Sequence, residues 1–274
     1  MTKTSKYISR VYLTIIFGIL YIPIITLIFF SFNASNSTAV FTGFSLRWYR
    51  ELFRSPDTFA ALRNTLVLAI CSSALATVIG TAAAAGIHRM KNKFAKKAVL
   101  SVTNIPMMNP DIVTGMSMML FFVAVVGILG LNYDDMGFIH MLLAHTTFCL
   151  PYVILSVLPR VEGLGKSLTE AALDLGCTPV QSFFKVELPN ILPGVLSGFV
   201  MAFTLSLDDF VISYFVGSSS FQTLPLLIYS MTKKKVTPDM YALSTLVIVT
   251  VFALLIFSNV RAAKEAKKEG AKKA

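Results

Sequence analysis

Charge is scarce in this chain: Asp, Glu, Lys and Arg make up 14% of its 274 residues, against 55% hydrophobic ones. A water-soluble domain carries about a quarter of its residues charged, so a soluble enzyme is excluded, and the mean hydropathy of +0.71 agrees. Cysteine is scarce as well. Cys71, Cys149 and Cys177 form no CxxC and are odd in number, so neither a disulfide framework nor a zinc-ligand spacing is present. They read as small apolar packing residues. Catalytic motifs are missing too. His88, His140 and His145 fall in no HExxH, and His140 and His145, five residues apart, lie on different helix faces. Residues 163–167 end like a phosphate-binding loop, but the first glycine of GxxxxGK[ST] would fall at Arg160, and no GxSxG occurs. A membrane enzyme is disfavoured, and any ATP-driven work requires another chain to bind the nucleotide.

What the chain has in abundance is long apolar stretches. A spanning helix needs about 20 such residues, because the hydrocarbon core is about 30 Å thick and a helix rises about 1.5 Å per residue. Six stretches qualify: Val11 to Phe32, Thr65 to Ile87, Ala98 to Leu129, Gly137 to Leu158, Pro193 to Val216 and Met240 to Val260. The first is too long for a signal-peptide core and lacks a small-residue cleavage site, so it reads as a retained helix. The net charge of +10 reports on topology before it reports on nucleic acid. With the N-terminus inside, the inside segments hold Lys3, Lys6 and Arg10, five basic residues between Arg89 and Lys97, Arg160, Lys166 and Lys185, and six after Val260; these are 17 of the 24. An all-α, six-span, N-in/C-in membrane protein follows, although Lys233 to Lys235 then lie outside. Its expected organisation is a cytoplasmic N-terminus (1–10), a transmembrane domain (11–260), and a basic Ala/Lys/Glu tail (261–274) that cannot build a core. Asn33 to Arg63 form a large external loop and Pro159 to Leu192 a large internal one.

The internal loop is punctuated as two short helices between residues 167 and 189. Ser167 with Glu170 has the pattern of a capping box. Gly176 supplies the left-handed residue that ends a helix. Thr178, Pro179 and Gln181 start a second helix, Pro189 ends it, and Pro193 opens the next span. Ala171, Ala172, Leu175, Phe183 and Phe184 would be exposed apolar residues, suited either to a partner's groove or to the bilayer surface.

Glu170-Ala171-Ala172, Gly176 and Val186-Glu187-Leu188-Pro189 resemble the EAA motif of ABC importer permeases: EAA, three residues, G, nine residues, I-x-L-P. Only Val186 departs from it, and valine keeps the shape of isoleucine. The likeness extends over nearly the whole chain. Trp48-Tyr49, the segment Met108 to Val113, and the segment Phe203 to Asp209 resemble the PotC-type permeases of spermidine/putrescine importers. The resemblance implies a type I ABC importer permease fold in a bacterial inner membrane. It makes 167–189, with Glu170, Ala171, Ala172, Gly176, Leu188 and Pro189, the segment that docks on an ATPase. The partners it implies are a PotB-type permease, a PotA-type ATPase dimer that binds ATP and Mg, and a PotD-type external binding protein meeting the loops near Trp48 and 218–222. The chain itself would be a non-catalytic subunit without cofactor or metal.

Carboxylates inside a membrane cost about 2.5–3.5 kcal/mol each on insertion scales, so Asp111, Asp208 and Asp209 need a reason. Asp111 lies about 13 residues beyond Ala98, or about 20 Å, and Asp208 about 15 beyond Pro193, or about 22 Å; both fall past the midplane. They are candidate pathway residues for a cation, with Phe203, Phe210 and Tyr214 as aromatic neighbours. Two other readings stand beside this. Asp111 would complement the N-terminus of a helix restarted after Pro106 and Pro110, and Asp208 or Asp209 would bond a neighbouring helix. Since adjacent residues point about 100° apart, only one of the latter pair would line a pathway. A permease for a different solute, or a secondary transporter using these acids as ion sites, remain the alternatives. The internal repeat expected of a self-sufficient carrier is not visible.

Overall fold

The computed structural model describes residues 3–36, 40–234, 238–250, 252, 253 and 256. The 261–274 tail and the end of the sixth expected span lie outside the described residues. Twelve helices are described: α1 (Lys3–Phe30), α2 (Arg47–Arg54), α3 (Pro56–Arg89), α4 (Lys93–Met108), α5 (Asp111–Leu129), α6 (Gly137–Glu162), α7 (Lys166–Asp174), α8 (Pro179–Ser182), α9 (Leu188–Asp208), α10 (Val211–Val216), α11 (Leu224–Lys234) and α12 (Pro238–Thr250). Among the described residues no strand forms beyond two isolated bridges. Five helices are long and apolar enough to cross a membrane: Arg10–Phe30, Pro56–Arg89, Asp111–Leu129, Asp134–Glu162 and Pro179–Asp208.

The chain divides into two units. The first comprises residues 1–60 and 227–254. Its α1 buries none of its most apolar stretch, leaving that surface for lipid or another chain. The loop after α1 is knotted around Asn33: its amide donates to Val40 O at 2.7 Å, its side-chain oxygen accepts from Thr42 N, and its carbonyl accepts from Trp48 Nε1 at 2.7 Å. Trp48 is therefore buried and holds the loop, instead of standing out from it. Tyr49 shares a hydroxyl hydrogen bond with Ser31 at 2.7 Å. Lys233 lies over the Tyr229 ring at 4.7 Å, while Lys235 is outside the described residues.

The second unit, from residue 61 to 226, holds the apolar core. Here α6 packs along α9 and α10 against α5. The close approach of α6 and α9 is permitted by Gly194, Gly198, Ala202 and Ser206 at four-residue spacing, the small-residue stripe by which helix backbones come together in lipid. A Cβ on Gly194 would lie 2.6 Å from Arg160 Cγ, and one on Gly198 3.3 Å from Val153 Cγ1. Gly80 plays the same part for α3, where a Cβ would meet Val153 Cγ1 at 2.7 Å.

Three expected elements are redrawn. The third span breaks at Asn109 and Pro110, because proline lacks an N–H and pushes the residue before it, Asn109 at ψ 142°, out of the helical region. The helix then restarts at Asp111, so the depth counted from Ala98 does not hold. Nor do Pro189 and Pro193 divide the second limb of the loop from the fifth span. Residues 183–187 form a π turn in which Leu188 N bonds Phe183 O, and helical residues run without a break from Pro179 to Asp208. Pro189 falls in the first turn after this π segment, and Pro193 lies inside α9. At the far end the fifth span stops at Asp208, and Asp209 is extended (φ −62°, ψ 125°) before α10 begins.

Candidate functional site

The segment 167–189 is a helix, a tight turn and a second helix. The extended residue before α7 is Gly165, and Ser167 lies inside the helix's first turn, so it is not at the N-cap position that the expected capping box requires. Its other end is a complete Schellman cap. Gly176 (φ +85°) donates to Leu173 O at 2.9 Å and Cys177 to Ala172 O at 3.1 Å. Thr178 then starts α8 with a reciprocal capping box: its hydroxyl accepts from Gln181 N, and the Gln181 side chain accepts from Thr178 N.

The outward face carries Glu170, Ala171, Leu175 (86% exposed) and Phe184 (60%). Ala172 and Phe183, expected there, are not on it: Ala172 is buried and Phe183 is half-buried beneath the Arg89 guanidinium, 5.8 Å from its ring centre. Leu188 packs against the core, and Pro189 sits in the first turn after the π segment. Behind the segment lies a contact between residues 98 apart in sequence. Both carboxylate oxygens of buried Glu187 accept from Arg89 Nη2 at 2.9 Å, and the Thr169 hydroxyl donates to Oε1 at 3.2 Å. Lys96 ties α4 to Glu162 at the end of α6, 2.7 Å apart.

The acids take different places. Asp111 opens α5, exposed, complementing that helix's N-terminus. Asp208 is exposed at the end of α9. Asp209 is turned inward. Its Oδ2 accepts from Ser213 N at 2.8 Å and Ser213 Oγ at 2.9 Å, its Oδ1 accepts from Ile212 N, and His145 Nε2 lies 3.4 Å away. His145 Nδ1 meets Ser206 Oγ at 2.7 Å, and Ser206 meets Ser72 Oγ at 2.9 Å. A connected, buried polar cluster thus pins α3, α6 and α9 at the break before α10. Phe203 stacks on Phe199, and exposed Tyr214 leans on Phe210 at 5.6 Å.

Loop 217–223 is held to its surroundings. Ser219 donates to Asp134 Oδ1, Asn64 Nδ2 to Gln222 O, and Tyr133 to Val216 O at 2.9 Å. Burial and the neighbouring Asp134 push the Tyr133 phenol above its usual range.

The unit of close-packed apolar spans bears a capped helix pair seated on the contact between half-exposed Arg89 and buried Glu187, and the chain belongs to the family of binding-protein-dependent transport system inner membrane components, which it matches over residues 76–263. It is 39% identical over 232 residues to the putrescine transport system permease protein PotI of Escherichia coli, covering 85% of this chain and 82% of that one. With the spermidine/putrescine transport system permease protein PotC of Haemophilus influenzae the identity is 39% over 253 residues, covering 92% and 95%. Among solved structures, a bacterial ABC transporter involved in alginate import shares the fold at a TM-score of 0.75 and 17% identity, over 96% of this chain and 99% of that one. The chain is an inner-membrane permease subunit of an importer.

Proposed function

We propose that the chain is the PotC-type permease of an ATP-driven polyamine importer, forming half of the translocation pathway beside a PotB-type permease. The observation that carries this is the identity of 39% over most of the chain to permeases named for putrescine and spermidine. ATP and Mg bind to a PotA-type ATPase dimer, which docks on Glu170, Ala171 and Leu175 of the 167–189 segment. A PotD-type binding protein delivers the solute on the opposite side, and closure of the ATPase alternates the access of the path. A polyamine presents several ammonium groups along an apolar chain. Asp208 and Asp111, the exposed two of the three candidate acids, with Tyr214 and Phe203 as ring surfaces, suit it through ion pairing and cation–π contact. Asp209 supports the path from behind, since its oxygens are occupied.

The test is ATPase activity of the complex in lipid nanodiscs, with and without binding protein and spermidine. Stimulation that requires both is expected. An ATPase that copurifies but ignores spermidine refutes the substrate, and the absence of an ATPase refutes the coupling and favours a secondary transporter using Asp111, Asp208 and Asp209. Glu170→Ala and Gly176→Pro are expected to abolish stimulation without unfolding the chain; proline cannot adopt the positive φ that Gly176 holds.

A further inference from the structure

Arg89 is the last residue of α3, and three elements meet at its guanidinium. Glu187 closes the π turn, Phe183 opens it, and Thr169 in the first half of α7 reaches the same carboxylate. We propose that Arg89 is a positioning residue for coupling: the Arg89–Glu187–Thr169 junction carries displacement of α7 directly into α3, alongside the path through α9. The inference rests on the reading that 167–189 docks on an ATPase.

The geometry is more specific than a surface ion pair. Glu187 is 5% exposed, so its charge has little water to fall back on and depends on Arg89. Glu187 and Phe183, the last and first residues of the π turn, both meet Arg89. Thr169 immediately precedes Glu170, so the inward and outward contacts of α7 sit on neighbouring residues and move together. Arg89 also suits the negative end of the α3 dipole.

Hydrogen exchange of residues 84–89 in the nanodisc complex, free and trapped with ATP and vanadate, tests this without depending on the solute. In the native complex trapping is expected to slow exchange there by at least tenfold. Arg89→Ala is expected to copurify with the ATPase, keep its unstimulated rate and lose that change, Glu187→Gln to lose the change as well, and the reversal R89E/E187R to regain at least half of it. No change on trapping in the native complex, a full change in Arg89→Ala, or a loss of the ATPase that the reversal does not repair, each overturns the proposal. A native preparation with no ATPase refutes the docking reading, and the proposal falls with it.

Discussion

Replacing Asp209 separates a residue that lines a path from one that holds the frame. Its two oxygens take three hydrogen bonds at the start of α10 and face His145, and the side chains of Asp209 and His145 are 8% and 1% exposed. Asp209→Ala removes a helix cap, which costs about 0.5–2 kcal/mol. It also leaves a buried hydroxyl or imidazole donor unanswered, at about 1–3 kcal/mol. The two overlap in part, so a net loss of about 2–4 kcal/mol is expected, or about 30- to 1,000-fold in a local opening equilibrium at about 1.4 kcal/mol per decade. Asp209→Asn keeps an acceptor for the α10 amides and should lose about half as much. Cys149 is a built-in reporter: it is fully buried and its thiol donates to Ala202 O, four residues before Ser206. With Cys71 and Cys177 changed to serine, the rate at which a maleimide labels Cys149 reads the opening. An unchanged labelling rate in Asp209→Ala, combined with a raised half-saturation for solute, would refute the framing role and return Asp209 to the pathway.

Asp208→Asn should do the reverse, raising the half-saturation for a polyamine several-fold in radiolabelled uptake while leaving Cys149 labelling unchanged, because Asp208 is exposed. Gly80→Ala places a Cβ 2.7 Å from Val153 Cγ1 and 2.9 Å from Val153 Cβ, so α3 and α6 must part at a cost of about 1–3 kcal/mol; thermal melting should show the loss, and Val153→Ala in the same chain should restore most of it. Gly176→Ala meets no atom within 4 Å, so its cost is the left-handed backbone alone, about 1–2 kcal/mol; uptake should fall while the melting temperature of the spans holds.

Local chemistry was legible in the sequence wherever it acts over a few residues. Gly176 and the Thr178/Gln181 pair mark helix ends that the fold uses as read, and the coarse apolar spans return as α1, α3, α5, α6 and α9. Ser167 misleads because the extended residue that precedes the helix is Gly165, two residues earlier, which places Ser167 within the first turn. Proline misleads in both directions. Pro110 breaks a span that hydropathy alone joins, while Pro189, directly after a π turn, and Pro193, inside α9, fail to break one; nothing local in the sequence separates the two cases. Arg89 and Glu187 are invisible as a pair, since nothing local links residues 98 apart. The Gly194, Gly198, Ala202 and Ser206 spacing, by contrast, is a readable sign of close helix packing. Asp209 belongs to its partners only once the chain bends at 208–210, which makes it a cap and not a member of a helical face.

The passage of one helix from Pro179 to Asp208 also makes the two ends of that helix share a phase. Thirty residues at about 1.5 Å each span about 45 Å. The side chains at its two ends are therefore held in one helical register, with the π turn at 183–187 as the single offset described between them. The converse is a severe intolerance to length. Adding or deleting a single residue anywhere between the π turn and Asp208 would swing Asp208 by about 100° and carry the whole small-residue stripe off α6 on one side of the change, whereas the loop at 217–223 has no such periodicity to violate. Insertions tolerated along this chain should accordingly be absent from 188–208, and that interval is a ruler for aligning related permeases whose loops differ in length.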